Sequence, residues 1–355
     1  MAKKPKKYGS NETTTHTLLV DGNALFKRGF FGAKNQYNRA GEHIGGLYQF
    51  ITIVRKLLKE DLYHKVFVFW DGKFSGKMRY DIYNDYKVSR DKDFVHGTHP
   101  IDEEEVREKF LIKQYLEELF IRQLMDNTKS GVEADDFIAY YCMTKKSNEK
   151  ITICTSDRDL CQLINKDIRL YLCDIKEFVS PLNYHKHFDH YYENSKLIKI
   201  IGGDASDDIK GIKGVKEKTL LTLFPELTER KVTLEEIIES AKRQQYYRID
   251  SKQKPLQSLT NIIERNTDGI QGKDIFEINR LLIDLSKPLV DKPNRKLLKE
   301  LKLPIGDIDN RGIKNVFKLM KRDGIDEQIY NFSTEYLLPF KELIEREKKQ
   351  SLIIK

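Results

Sequence analysis

Short apolar runs punctuate an otherwise polar chain. Leu18-Leu19-Val20, Val66-Phe67-Val68-Phe69-Trp70 and Ile151-Thr152-Ile153-Cys154 are apolar stretches of strand length, bounded by polar residues. Residues 168–173, Ile-Arg-Leu-Tyr-Leu-Cys, predict a further strand. Between the first two runs, Leu47, Phe50, Ile51, Val54, Leu57 and Leu58 recur at helical spacing and predict a helix over 45–58. A second amphipathic helix is predicted over about 136–145, just ahead of the third run. Strands alternating with helices predict an α/β fold, a central and mostly parallel sheet flanked by helices on both faces. Residues 73–100 break this rhythm. There Lys73, Lys77, Arg79, Lys87, Arg90 and Lys92 interleave with Phe74, Tyr80, Tyr83, Tyr86 and Phe94, which predicts two helical pieces joined by a loop. Beyond Pro225 the pattern is helical, interrupted at Pro255, Pro288, Pro293 and Pro304.

Nine acids fall where these strands end or helices begin. Asp21 follows the first run, Asp71 the second, and Asp157 and Asp159 the third. Glu133, Asp135 and Asp136 open the apolar stretch that starts at Phe137, and Asp204 and Asp207 lie in Gly202–Asp208. Ligands of an open parallel sheet bind beyond the carboxyl ends of its strands, so these acids are predicted to share one crevice. Taken singly, each is more simply a helix N-cap or a complement to a helix dipole. Together, so many carboxylates cannot stay ionised at short range without cations. Hard divalent ions with oxygen ligands, Mg²⁺ or Mn²⁺, are the natural partners. A pair of such ions suits phosphodiester hydrolysis. There is no GxxxxGK[ST] sequence to support an ATP motor.

Composition narrows the partner. Lys and Arg number 63 against 55 Asp and Glu, and nine of those acids are the candidate ligands, so the remaining surface is strongly basic. That favours a polyanion, most simply nucleic acid. No apolar run approaches the roughly 20 residues that span a membrane. The Lys-rich start has no apolar core and is expected to be a disordered basic tail over 1–15 rather than a secretory signal. Cys142, Cys154, Cys161 and Cys173 form no CxxC pair and are expected to be buried thiols in a cytoplasmic protein. His185, His187 and His190 cluster without a metal-binding spacing, and are expected to be structural.

Gly211-Ile212-Lys213-Gly214-Val215-Lys216-Glu217-Lys218-Thr219 is a glycine turn between predicted helices. Such a turn lets backbone N–H groups approach a phosphate, and with Lys210 it carries four lysines. It predicts a grip on a nucleic-acid backbone without base reading. Solvated lysines on a helical hairpin are the plainer alternative.

The motifs also stand in a familiar order. They are Leu-Val-Asp21-Gly-Asn, Val-Phe-Trp-Asp71-Gly-Lys73, Arg79 with Tyr86-Lys87-x-x-Arg90, and Gly131-Val-Glu133-Ala-Asp135-Asp136. Thr155-Ser-Asp157-Arg-Asp159-Leu and Gly203-Asp204-x-Ser206-Asp207 follow, ahead of the glycine turn. In this the chain resembles the flap endonuclease, or 5′ nuclease, family over residues 18 to about 220. The likeness is greatest to its T-even bacteriophage ribonuclease H type, and extends to the 5′-nuclease domain of bacterial DNA polymerase I. The resemblance implies a PIN-like nuclease core over 16–199 with a helical arch at about 73–105. A helix–three-turn–helix element over 200–224 and a helical region over 225–355 would follow. It implies a 5′→3′ exonuclease and flap endonuclease that removes RNA primers and 5′ flaps during phage DNA replication, acting on branched or nicked DNA and RNA–DNA duplexes.

The resemblance implies two Mg²⁺, with Mn²⁺ able to substitute. Asp21, Asp71, Glu133, Asp135 and Asp136 match the acids nearest the cleaved phosphate, and Asp157, Asp159, Asp204 and Asp207 those around the second ion. Asp71, Asp135, Lys87 and Arg90 would serve catalysis, with Lys87 and Arg90 on one helical face of the arch. Lys73, Arg79, Tyr86, Lys87, Arg90, Lys210, Lys213, Gly214, Lys216 and Lys218 would contact DNA, Tyr86 by stacking. A K⁺ site at the glycine turn, a monomeric state and the cytoplasm of an infected bacterium are implied as well. So is a phage single-strand-binding protein or sliding clamp as partner of the C-terminal region. Two positions depart from the family pattern: Asp208 stands where Asn is usual, and Lys216 where Gly is. The rival readings are a catalytically silent branched-DNA-binding protein of this fold and a PIN-like RNA nuclease. The latter group lacks both arch and glycine turn.

Overall fold

Six strands form one sheet in the order β3-β2-β1-β4-β5-β6. They are β1 (Thr15–Asp21), β2 (Lys65–Trp70), β3 (Arg122–Met125), β4 (Glu149–Thr155), β5 (Ile168–Leu172) and β6 (Glu177–Val179). The first five are parallel and β6 returns antiparallel to β5. In the computed structural model, residues 14–90, 102–268, 274–303 and 310–353 are described, without the side chains of Arg90 and of 350–353.

Chain order turns back at β1. The chain builds β2 and β3 on one side of it, then crosses to β4 and β5 on the other. This creates a switch point between β1 and β4, where a crevice opens beyond the strand ends. Asp21 ends β1, Asp71 follows β2, and Asp157 lies two residues past β4.

Three large hydrophobic cores, and a small fourth one at Tyr86, hold the described residues together. On one sheet face lie α1 (Gly22–Gly32), α2 (Gly45–Glu60) and, after the short α3 (Lys77–Ile82), α4 (Glu103–Glu118). The other face is covered by α5 (Ala134–Met143). The third core lies beyond the sheet. It joins α6 (Ser195–Gly202) and α7 (Glu217–Leu223) to α8 (Glu226–Glu229), α9 (Leu234–Asp250), α10 (Gln257–Glu264) and the start of α11 (Ile275–Ile283).

The helices after residue 225 are shared among these cores rather than standing apart. In α12 (Lys292–Leu301), Leu298 packs with Leu285 and Val290 into the α5 side of the sheet. Helices α13 (Ile313–Arg322) and α14 (Leu338–Ile353) send Val316, Met320, Phe340 and Leu343 into the α1–α2 side.

The predicted strands and the helices over 45–58 and 136–145 are present, with no boundary shifted by more than three residues. Strand β3 escaped the sequence pattern because it is a four-residue edge with only Leu124 buried. In the arch region α3 and a 3-10 turn at Val88–Arg90 are seen, and residues 91–101 lie outside the described ones. All four cysteines are buried and free. No described helix is long and apolar enough to cross a membrane.

Candidate active site

Each acid at a strand end has a local reason to be there. Asp21 caps α1, accepting from the Ala24 N–H at 3.0 Å, and Thr155 Oγ1 donates to its other oxygen at 2.9 Å. Asp71 accepts from Asn23 Nδ2 at 2.8 Å, Ser75 Oγ at 3.0 Å and the Ala134 N–H at 2.9 Å. It therefore ties β2 to the start of α5, and so holds the Glu133–Asp136 turn against Asp21. Gly131 makes that turn possible. Its φ is 82°, and a Cβ there would lie 2.3 Å from the Phe74 carbonyl oxygen.

Two of these carboxyls resist ionisation. Burial, and then the charges of Asp71 and Asp157, push Asp21 up from 3.8 to about 7. Burial, and then Asp157, Asp21 and Asp71, hold Asp135 well above the usual carboxylate range. Asp21, Asp71, Asp135 and Asp157 thus form one electrostatic cluster.

Glu133 and Asp136 are neutralised by protein cations. Arg79 Nη1 donates to both Glu133 Oε2 and Asp136 Oδ2 at 2.5 Å, and its Nη2 reaches Asp136 Oδ1 at 3.1 Å. Lys87 Nζ donates to Glu133 Oε1 at 2.5 Å, and the Tyr86 hydroxyl donates to Oε2 at 3.0 Å. Burial alone would raise Glu133, but Lys87 and Arg79 outweigh it and hold it at about 2. Lys87 also lies 3.9 Å from Asp207, and its N–H donates to the Asp207 carbonyl at 3.0 Å.

Three expectations change here. Arg79 and Tyr86 are buried in the crevice wall, so neither presents an exposed nucleic-acid surface: Arg79 bonds to Glu133, Asp136 and the Leu282 carbonyl, and the Tyr86 hydroxyl to Glu133. Asp136 faces Arg79 and the Leu289 N–H, 2.9 Å away, rather than Asp21 and Asp71. Lys87 has a left-handed φ of 54°, so it ends before the 3-10 turn and shares no helical face with Arg90. The Arg90 side chain is outside the described residues.

A residue that sequence reasoning passed over completes the crevice. Lys199, on α6, donates to Asp204 Oδ2 at 2.6 Å and to Asp159 Oδ1. Burial would raise Asp204, but Lys199 and the two Ser206 hydrogen bonds hold it at about 2. The available signal was Lys199 lying five residues ahead of Asp204 on a helix that buries Ile198, Ile200 and Ile201.

Among the described residues, no three carboxylates or imidazoles already stand in a metal-holding arrangement. The donor set nevertheless suits hard cations. It is all oxygen, and burial with the neighbouring acidic charges raises Asp21 and Asp135, a cost of ionisation that a divalent cation would remove.

Residues 16–193 match the profile of the 5′–3′ exonuclease N-terminal resolvase-like domain, half of the chain. The chain belongs to the 5′–3′ exonuclease family. A 5′–3′ exonuclease of Mycoplasmopsis pulmonis is 28% identical over 284 residues, covering 78% of this chain and 88% of that one. The thermostable DNA polymerase I of Thermus thermophilus is 32% identical over 216 residues, 61% of this chain. The match spans only 24% of that polymerase. The fold is shared with the bacteriophage T5 D15 protein co-crystallised with metal ions (18% identity, TM-score 0.56, 86% of this chain and 99% of that one). It is likewise shared with the T5 D15 flap endonuclease in a pseudo-enzyme–product complex with DNA and metal ions (16% identity, TM-score 0.55, 94% and 99%).

In this exonuclease-family chain the glycine turn lies beyond the matched residues. Gly203–Asp204 pairs with Ile209–Lys210 as a two-residue ladder, and the turn follows it directly. Gly214 has a φ of 71° with open space where a Cβ would stand. Lys210, Lys213, Lys216 and Lys218 are exposed around it. Lys213 pairs with Asp268 at 2.9 Å, Lys210 with Asp85 at 3.7 Å, and Lys216 donates to the Gly202 carbonyl at 3.0 Å. Lys73, two residues past Asp71, is exposed beside Phe74.

Proposed function

We propose that the protein is a divalent-metal-dependent 5′→3′ nuclease that hydrolyses phosphodiesters of DNA and RNA–DNA duplexes and of 5′ flaps, in the service of replication. The observation that carries this is the shared crevice, in which Asp21 is pushed up to about 7 by burial, Asp71 and Asp157. Asp21, Asp71, Asp135 and Asp157 would hold one Mg²⁺, and Asp159, Asp204 and Asp207 the other. Such a pair supplies charge stabilisation to the attacking and leaving oxygens of an in-line displacement.

The chain's own groups do the rest. Thr155 and Asn23 orient Asp21 and Asp71. Arg79 fixes the buried side of Glu133, and Lys87 lines the crevice beside it. As a phosphate enters, the Lys87 ammonium turns from Glu133 towards the non-bridging oxygens. The lysines of the glycine turn hold the duplex by its backbone.

Cleavage of a 5′-labelled flap with Mg²⁺, and its loss in EDTA, tests the function. A protein that binds branched DNA tightly but leaves it intact in Mg²⁺ and in Mn²⁺ would be the silent binding protein instead.

A further inference from the structure

One segment outside the matched family residues is bonded to Asp136, to Gln162 beside Asp159, and to both flanks of the Asp204–Asp207 loop. From Asn279 to Asn294 the chain leaves α11, crosses the crevice wall and enters α12. At its start, buried Asn279 donates to the Ile200 and Lys210 carbonyls, both at 2.8 Å, on either side of the Asp204–Asp207 loop. The Leu282 carbonyl then accepts from Arg79 Nε at 2.8 Å, behind Glu133 and Asp136. Gln162 clamps the next stretch reciprocally: its Nε2 donates to the Ile283 carbonyl at 3.1 Å, and its Oε1 accepts from the Leu285 N–H at 2.9 Å. The same Nε2 reaches the Asp159 carbonyl at 3.0 Å. The Leu289 N–H donates to Asp136 at 2.9 Å. At the far end Asn294, fully buried, donates to Asp126 and Ser130 at 3.1 Å each. Asp126 in turn accepts from the Gly131 and Val132 N–H groups just ahead of Glu133.

These contacts have a common character. Most pass between a side chain and a backbone group, so they fix the path of the acid-bearing loops and not merely one rotamer. Leu282 and Ile283 also pack beneath Tyr86 and Ile209, which seals the brace to the crevice floor. The loops carrying Glu133, Asp159 and Asp204 come from different elements, and this segment is tied to each of them: to the first at Asp136, to the second through Gln162 and to the third at its flanks, Ile200 and Lys210. Distances between carboxylates in a two-ion site must hold within fractions of an ångström for productive geometry.

We propose that Asn279–Asn294 is a brace that sets the spacing between the Asp135 and Asp159–Asp204 sides of the crevice, with Gln162 as its positioning residue. This rests on the metal-dependent function proposed above. Gln162 touches no reacting atom in this account. It acts by holding the Asp159 backbone to the brace, and so tunes how tightly the second ion is held.

The test titrates full-length, metal-free protein with Mn²⁺ in a calorimeter, beside thermal melts. Gln162→Leu should weaken the looser of two Mn²⁺ sites about tenfold, the scale for losing a group that orients metal ligands. The tighter site should stay within about twofold, and flap cleavage lost at low Mn²⁺ should return at high Mn²⁺. Lys287→Ala, an exposed change on the same segment, should match the unsubstituted protein. Gln162→Met keeps the length but can neither donate to Ile283 nor accept from Leu285, and gives the same reading should the leucine variant fail to fold. Lower melting with both affinities unchanged would reduce the segment to ordinary packing and overturn the proposal. Absence of Mn²⁺ binding by the unsubstituted protein would overturn the metal-dependent function itself, a result distinct from the first.

Discussion

Lys87 Nζ lies 2.5 Å from Glu133 Oε1, so a lysine holds the carboxylate that faces the crevice. Burial disfavours the Lys87 charge, yet Glu133 outweighs burial and raises Lys87 well above the usual lysine range. Glu133 thus keeps the ammonium charged in this pairing, ready to turn to a phosphate. Lys87→Ala should lower single-turnover cleavage by roughly a hundredfold or more, the loss expected for one preorganised charge. Flap binding should change little. A variant altered in binding and normal in turnover would leave Lys87 as a docking charge only.

The crevice acids and the basic surface divide the work. Asp71→Asn and Asp135→Asn should each abolish cleavage in saturating Mg²⁺ while flap affinity, measured by anisotropy, is retained or improved. Near-normal turnover in either variant would remove that residue from the site.

Asp21 gives the metal-free protein a distinctive pH response. Its carboxyl is raised from 3.8 to about 7 by burial and by Asp71 and Asp157, so the folded state holds a proton that the unfolded chain has released. Stability is then greatest below about 4 for this group and falls as pH rises to about 7. Glu133, held down at about 2 against 4.5, has the opposite sign: its contribution is full above 4.5 and fades as pH falls towards 2. Melting curves in EDTA from pH 4 to 8 should show the upper decline, and Mg²⁺ should flatten it. Identical pH curves with and without Mg²⁺ would contradict this.

Lys213 and Lys218 are exposed at the glycine turn. If each meets one phosphate, alanine at either position should weaken duplex binding equally for all sequences and reduce the salt slope by about one. Salt titrations on two unrelated duplexes measure both quantities. Sequence-selective losses would point to base contact instead.

The sheet was legible because Leu18–Val20 and Val66–Trp70 are buried on both faces and so are apolar throughout. Their terminal acids were legible by position alone. What the acids do individually was not. Asp136 and Asp135 are adjacent in sequence, yet one faces Arg79 and the other Asp157, because a helical turn rotates neighbours by about 100°. Arg79 looked like a surface cation because its pairing with Glu133 and Asp136 spans more than fifty residues. The contacts of Gln162 and Asn279 leave no trace in composition, since both amides bond to backbone carbonyls that any residue could supply.

All nine acids precede Asp208, but the α1–α2 side of the sheet is completed only by Val316, Met320, Phe340 and Leu343. A chain emerging from the ribosome therefore displays its whole acidic complement long before it can seat it. Until about residue 344 is released, the sheet lacks part of its cover. A chain cut at the end of the matched residues would lack Val316, Met320, Phe340 and Leu343 and so leave that sheet face uncovered.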